Sequence, residues 1–307
     1  MPLHIATPLV ESTPLSKAAQ RIVWLKLEAL QPPGSFKIRG IGAACQHYAA
    51  RGARRFVSSS GGNAGLAVAY AGQHLSIPVT VVVPTSTTER AKELLRQEGA
   101  EVRVRGASWQ EANALAQSLL TDSDAFLHPF DDPLLWSGHA SMIDEVATSG
   151  MKPDAVVLSV GGGGLMSGVM EGLARNGWGD VPVLAVETHG AASLHAAMQA
   201  GARVTLEAIT SIATSLGARQ VCEQAFKWAQ SGKVHSVRVS DQQAVDACQR
   251  FLDDHRLLVE PACGAALAAV YGADKALAPY GKVLVIVCGG ATATADNLQQ
   301  WARQLAA

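Results

Sequence analysis

Lys37 stands in PPGSFKIRG, directly after a Pro-Gly turn and at the opening of a helix-periodic run, IRGIGAACQHYAARG. Lysines favour the last turn of a helix; near the positive N-terminal end the ammonium form is disfavoured, which suits an amine that must form a Schiff base. A solvated surface lysine is the ordinary alternative. A second segment places Gly161, Gly162, Gly163, Gly164 and Leu165 between a β-branched run and a helical one. Without side chains, converging backbone N–H groups at a helix N-terminus can cradle a phosphate, although a tight strand-to-helix turn uses the same residues. In a third segment, SSSGGNAG at 58–65, the Ser60 hydroxyl, the Asn63 amide and the backbone amides can hold a carboxylate or a phenolic oxygen, or merely cap a helix. The fourth, CGGATAT, begins with Cys288 and Gly289 at the end of an apolar run; a single thiol there is either chemistry or packing.

The elements that must position these segments follow from the runs around them. RRFVSS (54–59), PVTVVVP (78–84) and EVRVRG (101–106) form one block of short β-branched runs with helical stretches between. DAVVLSV (154–160), VPVLAVE (181–187) and KVLVIVC (282–288) form another. Strand, loop and helix in alternation predict an α/β chain with parallel sheets, and in such sheets ligands sit beyond the carboxyl ends of the strands. The glycine junctions near 60, 161 and 289 are therefore expected to line one crevice. HPFDDPLLW at 128–136, rich in Pro and Asp, is the expected crossing between the blocks. A dinucleotide fingerprint is the runner-up, because Glu187 ends the next strand where a ribose-binding acid lies. Its spacing fails: GxGxxG begun at Gly161 ends on Met166, and begun at Gly162 ends on Ser167.

Composition narrows the class. With 25 basic and 26 acidic residues among 307 and no run of like charge, nothing drives binding to nucleic acid or an anionic membrane, and small-molecule partners are expected. The 48% hydrophobic content supports a large core, and the length allows two domains. Five scattered cysteines without a CxxC pair read as free thiols in a reducing compartment, so a cytoplasmic protein with no export signal and no membrane span is expected.

Taken together and in order, these segments resemble the pyridoxal phosphate enzymes of the tryptophan synthase β-subunit-like group, fold type II, and within it the catabolic L-serine/L-threonine dehydratases. The likeness runs nearly end to end, through HIATPL, QPPGSFKIRG, SSSGGNAG, PFDDPLLWSGHAS, LSVGGGGL, AVETHGAASLHAA, ITSIATSLG, LVEPACGAALAAVYG and VIVCGG. It implies two open twisted, mostly parallel sheets flanked by helices, with a large cofactor-binding domain at 1–40 and 133–307 and a small substrate-binding domain at 41–132. It further implies that Lys37 carries pyridoxal 5'-phosphate and that Phe36 packs at the cofactor. Gly161, Gly162, Gly163, Gly164 and Leu165 then hold the phosphate, Asn63 meets the ring 3-oxygen, and Cys288 with Gly289 lies at the ring nitrogen. Ser60, Gly61, Asn63 and Ala64 receive the substrate carboxylate. A monovalent cation, K+ by resemblance, takes oxygens from Gly161, Glu187, Ala191, Ser193, Leu216 and Ala218, a donor set suited to a hard ion. A homodimer is implied as well.

The activity implied is β-elimination from L-serine to pyruvate and ammonia, with L-threonine giving 2-oxobutanoate. Alternatives are another eliminating or β-replacing activity of the same fold, or a non-catalytic cofactor- or amino-acid-binding protein. A thiol partner is too weak an acid to keep the ring nitrogen protonated, which favours prompt loss of a β-substituent. Serine racemases of this fold carry a serine where Gly61 stands, so racemisation is not expected; many dehydratases carry alanine there, and glycine is expected to leave added room beside the substrate. The chain ends at Ala307 after the last helical run, so feedback through an extra C-terminal regulatory domain is not expected either.

Overall fold

The computed structural model describes residues 1–306. The chain opens with β1 (Leu9–Glu11), α1 (Thr13–Ala19) and β2 (Ile22–Lys26), and then passes through Pro32, Pro33 and Gly34 into α2 (Lys37–Ala50). It continues through β3 (Arg55–Ser58), α3 (Asn63–Leu75), β4 (Val79–Val83), α4 (Glu89–Gln97), β5 (Glu101–Val104), α5 (Trp109–Ser118) and β6 (Asp124–Phe126). After α6 (Pro133–Thr148) come β7 (Ala155–Ser159), α7 (Gly164–Arg175), β8 (Val183–Thr188), α8 (Ser193–Ala200), α9 (Glu223–Ala229) and β9 (Val234–Val239). The last elements are α10 (Asp241–His255), α11 (Pro261–Tyr271), β10 (Lys282–Ile286) and α12 (Ala295–Ala306).

Two sheets result. One has six strands in the order β1-β2-β10-β7-β8-β9, parallel except for the edge pair β1 and β2. The other has four parallel strands in the order β5-β4-β3-β6. The strands β4 (VTVVV) and β7 (AVVLS) are buried at every position, as expected of strands covered by helices on both faces. The apolar runs that the sequence marks at 54–59, 78–84, 101–106, 154–160, 181–187 and 282–288 each contain one of these strands. It left β1, β2, β6 and β9 unmarked. β9 reads VHSVRV, with its buried positions spaced three and then two apart, so the alternation of an edge strand is blurred.

Each sheet has its own core. Leu25, Val157, Leu184, Val285 and Leu267 belong to the larger one, while Ile38, Phe56, Val81, Leu66 and Leu127 belong to a second around the four-stranded sheet. Helix α6 serves both: Leu135 packs in the second core, and Met142, Ile143 and Val146 pack in the first. Its start is fixed by Asp132, whose side chain accepts the Leu134 N–H at 2.8 Å, with Pro133 in the first turn, where a missing N–H costs nothing.

Candidate active site

The strand β10 hands the chain to Cys288, Gly289 and Gly290, and this stretch is knitted to the turn before Lys37. Phe36 N–H donates to the Cys288 carbonyl at 3.1 Å, Gly290 N–H donates to the Gly34 carbonyl at 3.0 Å, and Ser35 pairs with Gly289 as an antiparallel bridge. Lys37 is thereby held beside the end of the central strand as the first residue of α2. Its amine donates to the Pro129 carbonyl at 2.5 Å, and burial lowers its pKa from 10.5 to about 8, against the pull of Cys288 and Glu260. Desolvation thus adds a cause that position in the helix alone does not supply.

Pro129 belongs to the HPFDD stretch, so this stretch is a wall of the site as well as the link from β6 to α6. The next residue, Phe130, lies against the glycine loop: a Cβ on Gly162 would come within 2.3 Å of its ring, and one on Gly164 within 2.7 Å of its carbonyl oxygen. Gly163 has φ +92°, a left-handed conformation that glycine adopts without strain. The chain therefore turns sharply from β7 into α7. Among the described residues, no protein acceptor takes the N–H groups of residues 161–165. This row of open donors at the start of a helix is what an anionic phosphate requires.

The SSSGGNAG loop joins β3 to α3 on the four-stranded side. Its amides at Gly61, Asn63 and Ala64 are likewise without protein acceptors, while Gly62 N–H reaches the Ser60 hydroxyl at 3.4 Å. The Asn63 side chain crosses to the larger sheet, donating from Nδ2 to Glu260 Oε1 at 2.8 Å and accepting from Ala291 N–H at 3.1 Å through Oδ1. Both contacts fix which way the amide faces. One expectation is corrected here. Gly61 does not open room: the place its Cβ would occupy lies 2.8 Å from Thr87 Cγ2 and 3.1 Å from Val83 Cγ1, so neighbouring side chains already fill it.

Cys288 is buried, and its contact with Cys263, followed by burial, pushes its thiol well above the ordinary range, so it stays neutral. Glu260, at the N-cap of α11, is a residue the sequence reading missed. Burial raises its carboxyl to about 7, opposed by hydrogen bonds from Ser215 and Asn63. A lone acid in LVEPACGAALAAV, ahead of a helix buried along nearly its whole length, was the available signal. Arg39 was missed too. It is fully buried, and its guanidinium meets Glu28 at 2.7 and 2.9 Å and Glu145 at 2.7 and 2.8 Å.

The expected cation ligands fall in two groups. A Cβ on Gly161 would meet Leu216 Cα at 2.9 Å, so these two residues are neighbours. Glu187 is fully buried, accepts N–H from Leu194 and His195 at 2.8 Å each, and is raised to about 7 by burial. Beside it the Ser193 hydroxyl is buried without any hydrogen-bond partner. The carbonyls of Gly161, Ala191 and Ala218 accept no hydrogen bond among the described residues. Open oxygens in a buried place fit a hard cation.

Residues 1–289 match the family model described as pyridoxal-phosphate dependent enzyme. The human protein "Serine dehydratase-like" is 51% identical over 308 residues, covering 97% of this chain and 94% of that protein. Human "L-serine dehydratase/L-threonine deaminase" is 48% identical over 315 residues, covering 99% and 96%. The crystal structure of a fungal L-serine ammonia-lyase from Rhizomucor miehei superposes with a TM-score of 0.93 at 37% identity, covering 98% of this chain and 99% of the other.

Proposed function

The chain belongs to the pyridoxal-phosphate-dependent enzyme family, and from that premise we propose that it is an L-serine ammonia-lyase giving pyruvate and ammonia, with L-threonine giving 2-oxobutanoate. The observation that carries this reading is the buried Lys37 amine, lowered to about 8 and one residue's reach from the Phe130 wall of a glycine loop whose N–H groups are open. Near neutral pH such an amine spends part of its time unprotonated, as both a nucleophile and a base must.

When bound, pyridoxal phosphate supplies an aldehyde that joins to an amine and a conjugated ring that stabilises the electron pair left when the Cα proton departs. The protein's own residues do the rest. The open amides of residues 161–165 would bind the phosphate, and the Asn63 amide, held in one orientation by Glu260 and Ala291, would meet the ring oxygen. Cys288, a neutral thiol, would face the ring nitrogen by resemblance and would be too weak an acid to protonate it, which would suit loss of the β-hydroxyl over longer-lived chemistry. The Ser60 hydroxyl and the amides of Gly61, Asn63 and Ala64 bind the substrate carboxylate, leaving Cα within the compass of Lys37, which takes its proton. At Gly61 no side chain is present to exchange a proton on the opposite face, so racemisation is not part of the reading.

Residues 41–132 act as a small lobe that closes the carboxylate loop over the larger lobe, 1–40 and 133–307, and excludes water from the reaction. The second core around the four-stranded sheet supports a separate small lobe, with Ile38 and Leu135 of the larger lobe's ranges packing into it, and the Asn63 to Glu260 bond links the two sheets. A monovalent cation, K+, would take its oxygens from Gly161, Glu187, Ala191, Ser193, Leu216 and Ala218; the Ser193 hydroxyl, without a partner among the described residues, supports it. No helix among the described residues is long and apolar enough to cross a membrane, and all five cysteines are free and buried, which supports a reducing, cytoplasmic setting. Two copies pair as a homodimer, on the strength of the family resemblance.

The test is direct. The purified protein is expected to absorb in the visible, borohydride to trap the cofactor on Lys37, and L-serine to yield pyruvate in a coupled assay. Lys37→Ala is expected to lower turnover by roughly a thousandfold or more while the phosphate cradle still binds the cofactor. Cofactor trapped on Lys37 with no keto acid from either amino acid would make the chain a binding protein rather than a lyase.

A further inference from the structure

Helix α2 begins without a capping side chain, because its N-cap residue is Phe36. Its first turn is tightened: the Phe36 carbonyl takes the Arg39 N–H at 3.0 Å, three residues on, and the Gly40 N–H is thereby released from the usual four-residue bond. That donor goes to Nδ1 of His139, on α6, at 3.2 Å. His139 is fully buried, and burial, with Lys37 and Arg39 nearby, holds its imidazole well below the ordinary range and therefore neutral. With Nδ1 accepting, the ring proton resides on Nε2, which has no nitrogen or oxygen partner among the described residues. The imidazole instead lies against the Phe36 ring, 4.8 Å between centroids and tilted by 60°. Tilted ring pairs at this separation attract one another weakly.

The imidazole cannot shift to another place. A Cβ on Gly40 would stand 2.6 Å from His139 Cε1, and one on Gly168 of α7 2.4 Å from His139 Cβ, so two helices, α2 and α7, close on this side chain through glycines. We propose that His139 is a positioning residue for Lys37: it fixes the first turn of α2 and the tilt of Phe36, and through them the direction of the Lys37 amine. The proposal rests on the reading of Lys37 as the lysine that carries the cofactor. His139 touches neither substrate nor cofactor in this role. A side chain that merely filled the space between helices would be replaceable by any apolar group of similar volume, whereas one that holds the Gly40 N–H is replaceable only by an acceptor at the same atom.

Asparagine places its Oδ1 near where His139 carries Nδ1; leucine fills the volume with no acceptor. The holoenzymes of wild type, His139→Asn and His139→Leu are compared by visible absorbance, kcat, KM and Tm. Borohydride trapping on Lys37 in the wild type tests the underlying reading separately, and a label on another lysine would overturn that reading regardless of His139. His139→Leu is expected to lower kcat about 10- to 100-fold with KM changed less than about threefold and to shift the visible band, as expected of a misdirected reacting group. His139→Asn is expected to keep the band and to hold kcat within about threefold of wild type. A leucine variant with native kcat and absorbance overturns the proposal. So does an asparagine variant that loses kcat as far as the leucine one or fails to fold, because it retains the acceptor. A leucine variant that fails to fold, beside an active asparagine one, supports it.

Discussion

The ionic cluster around Arg39 and the glycine loop at 161–165 treat their donors in opposite ways. Every arm of the Arg39 guanidinium is engaged, by Glu28, Glu145, Ser141, Thr7 and the Ile5 carbonyl. Glu28 is further held by Thr7 Oγ1 at 2.6 Å and Gln31 at 3.2 Å, and Lys26 pairs with Glu145. The glycine loop has a row of N–H groups with no protein acceptor. A buried donor left open costs about 1–3 kcal/mol, and Gly163, Gly164 and Leu165 are buried, so an acceptor from outside the chain is favoured there. A closed polar network anchors α2, and an open one leaves its donors to an acceptor from outside the chain.

The sharpest way to break this contrast is to open the closed network. Glu28→Ala leaves a buried guanidinium half-paired and is expected to cost about 3–5 kcal/mol of folding stability, by denaturant or thermal unfolding, with cofactor present or absent. A loss under about 1 kcal/mol would mean that the cluster does not anchor the helix. The converse change lies in the glycine loop. Gly162→Ala drives a methyl into the Phe130 ring, and the displaced loop is expected to weaken cofactor affinity by about 1–3 kcal/mol, so the rise in Tm on adding pyridoxal phosphate should shrink. An unchanged rise would remove the loop from the binding site.

The smallest effect concerns Glu260, which belongs to neither class, being buried and bonded yet raised from 4.5 to about 7. A carboxyl with a raised folded-state pKa contributes stability that is fully present below 4.5 and lost as pH climbs through about 7. The wild type is therefore expected to lose about 1 kcal/mol between pH 6 and pH 8 from this group, and Glu260→Gln to lack that loss. Parallel stability profiles for the two proteins would show that Glu260 does not titrate in this range.

How much of this was legible beforehand depends on whether the signal is local. Lys37 after its Pro-Gly turn, the four glycines before α7 and the polar loop before α3 declare themselves by residue type and spacing, since a turn or a cradle is built from consecutive backbone. Six of the ten strands were marked by β-branched runs for the same reason. Glu260, Arg39 and His139 were not, because each is given its role by residues about 100 to 200 positions away: His139 by Gly40, Arg39 by Glu145, Glu260 by Asn63. Short strands such as β2 (IVWLK) were passed over because a run of four apolar residues fits helix or strand equally until a neighbour pairs with it.

By itself, then, the sequence determined the α/β class, the candidate lysine, the glycine cradle and the likeness to a cofactor-dependent family, since these rest on contiguous residues whose conformational limits travel with them. Only the tertiary structure decided that Thr87 and Val83 fill the space at Gly61, that burial brings the Lys37 amine to about 8, and which polar groups are satisfied and which stay open. Desolvation and hydrogen-bond completion are properties of an enclosed volume, and that volume exists only after distant segments have packed.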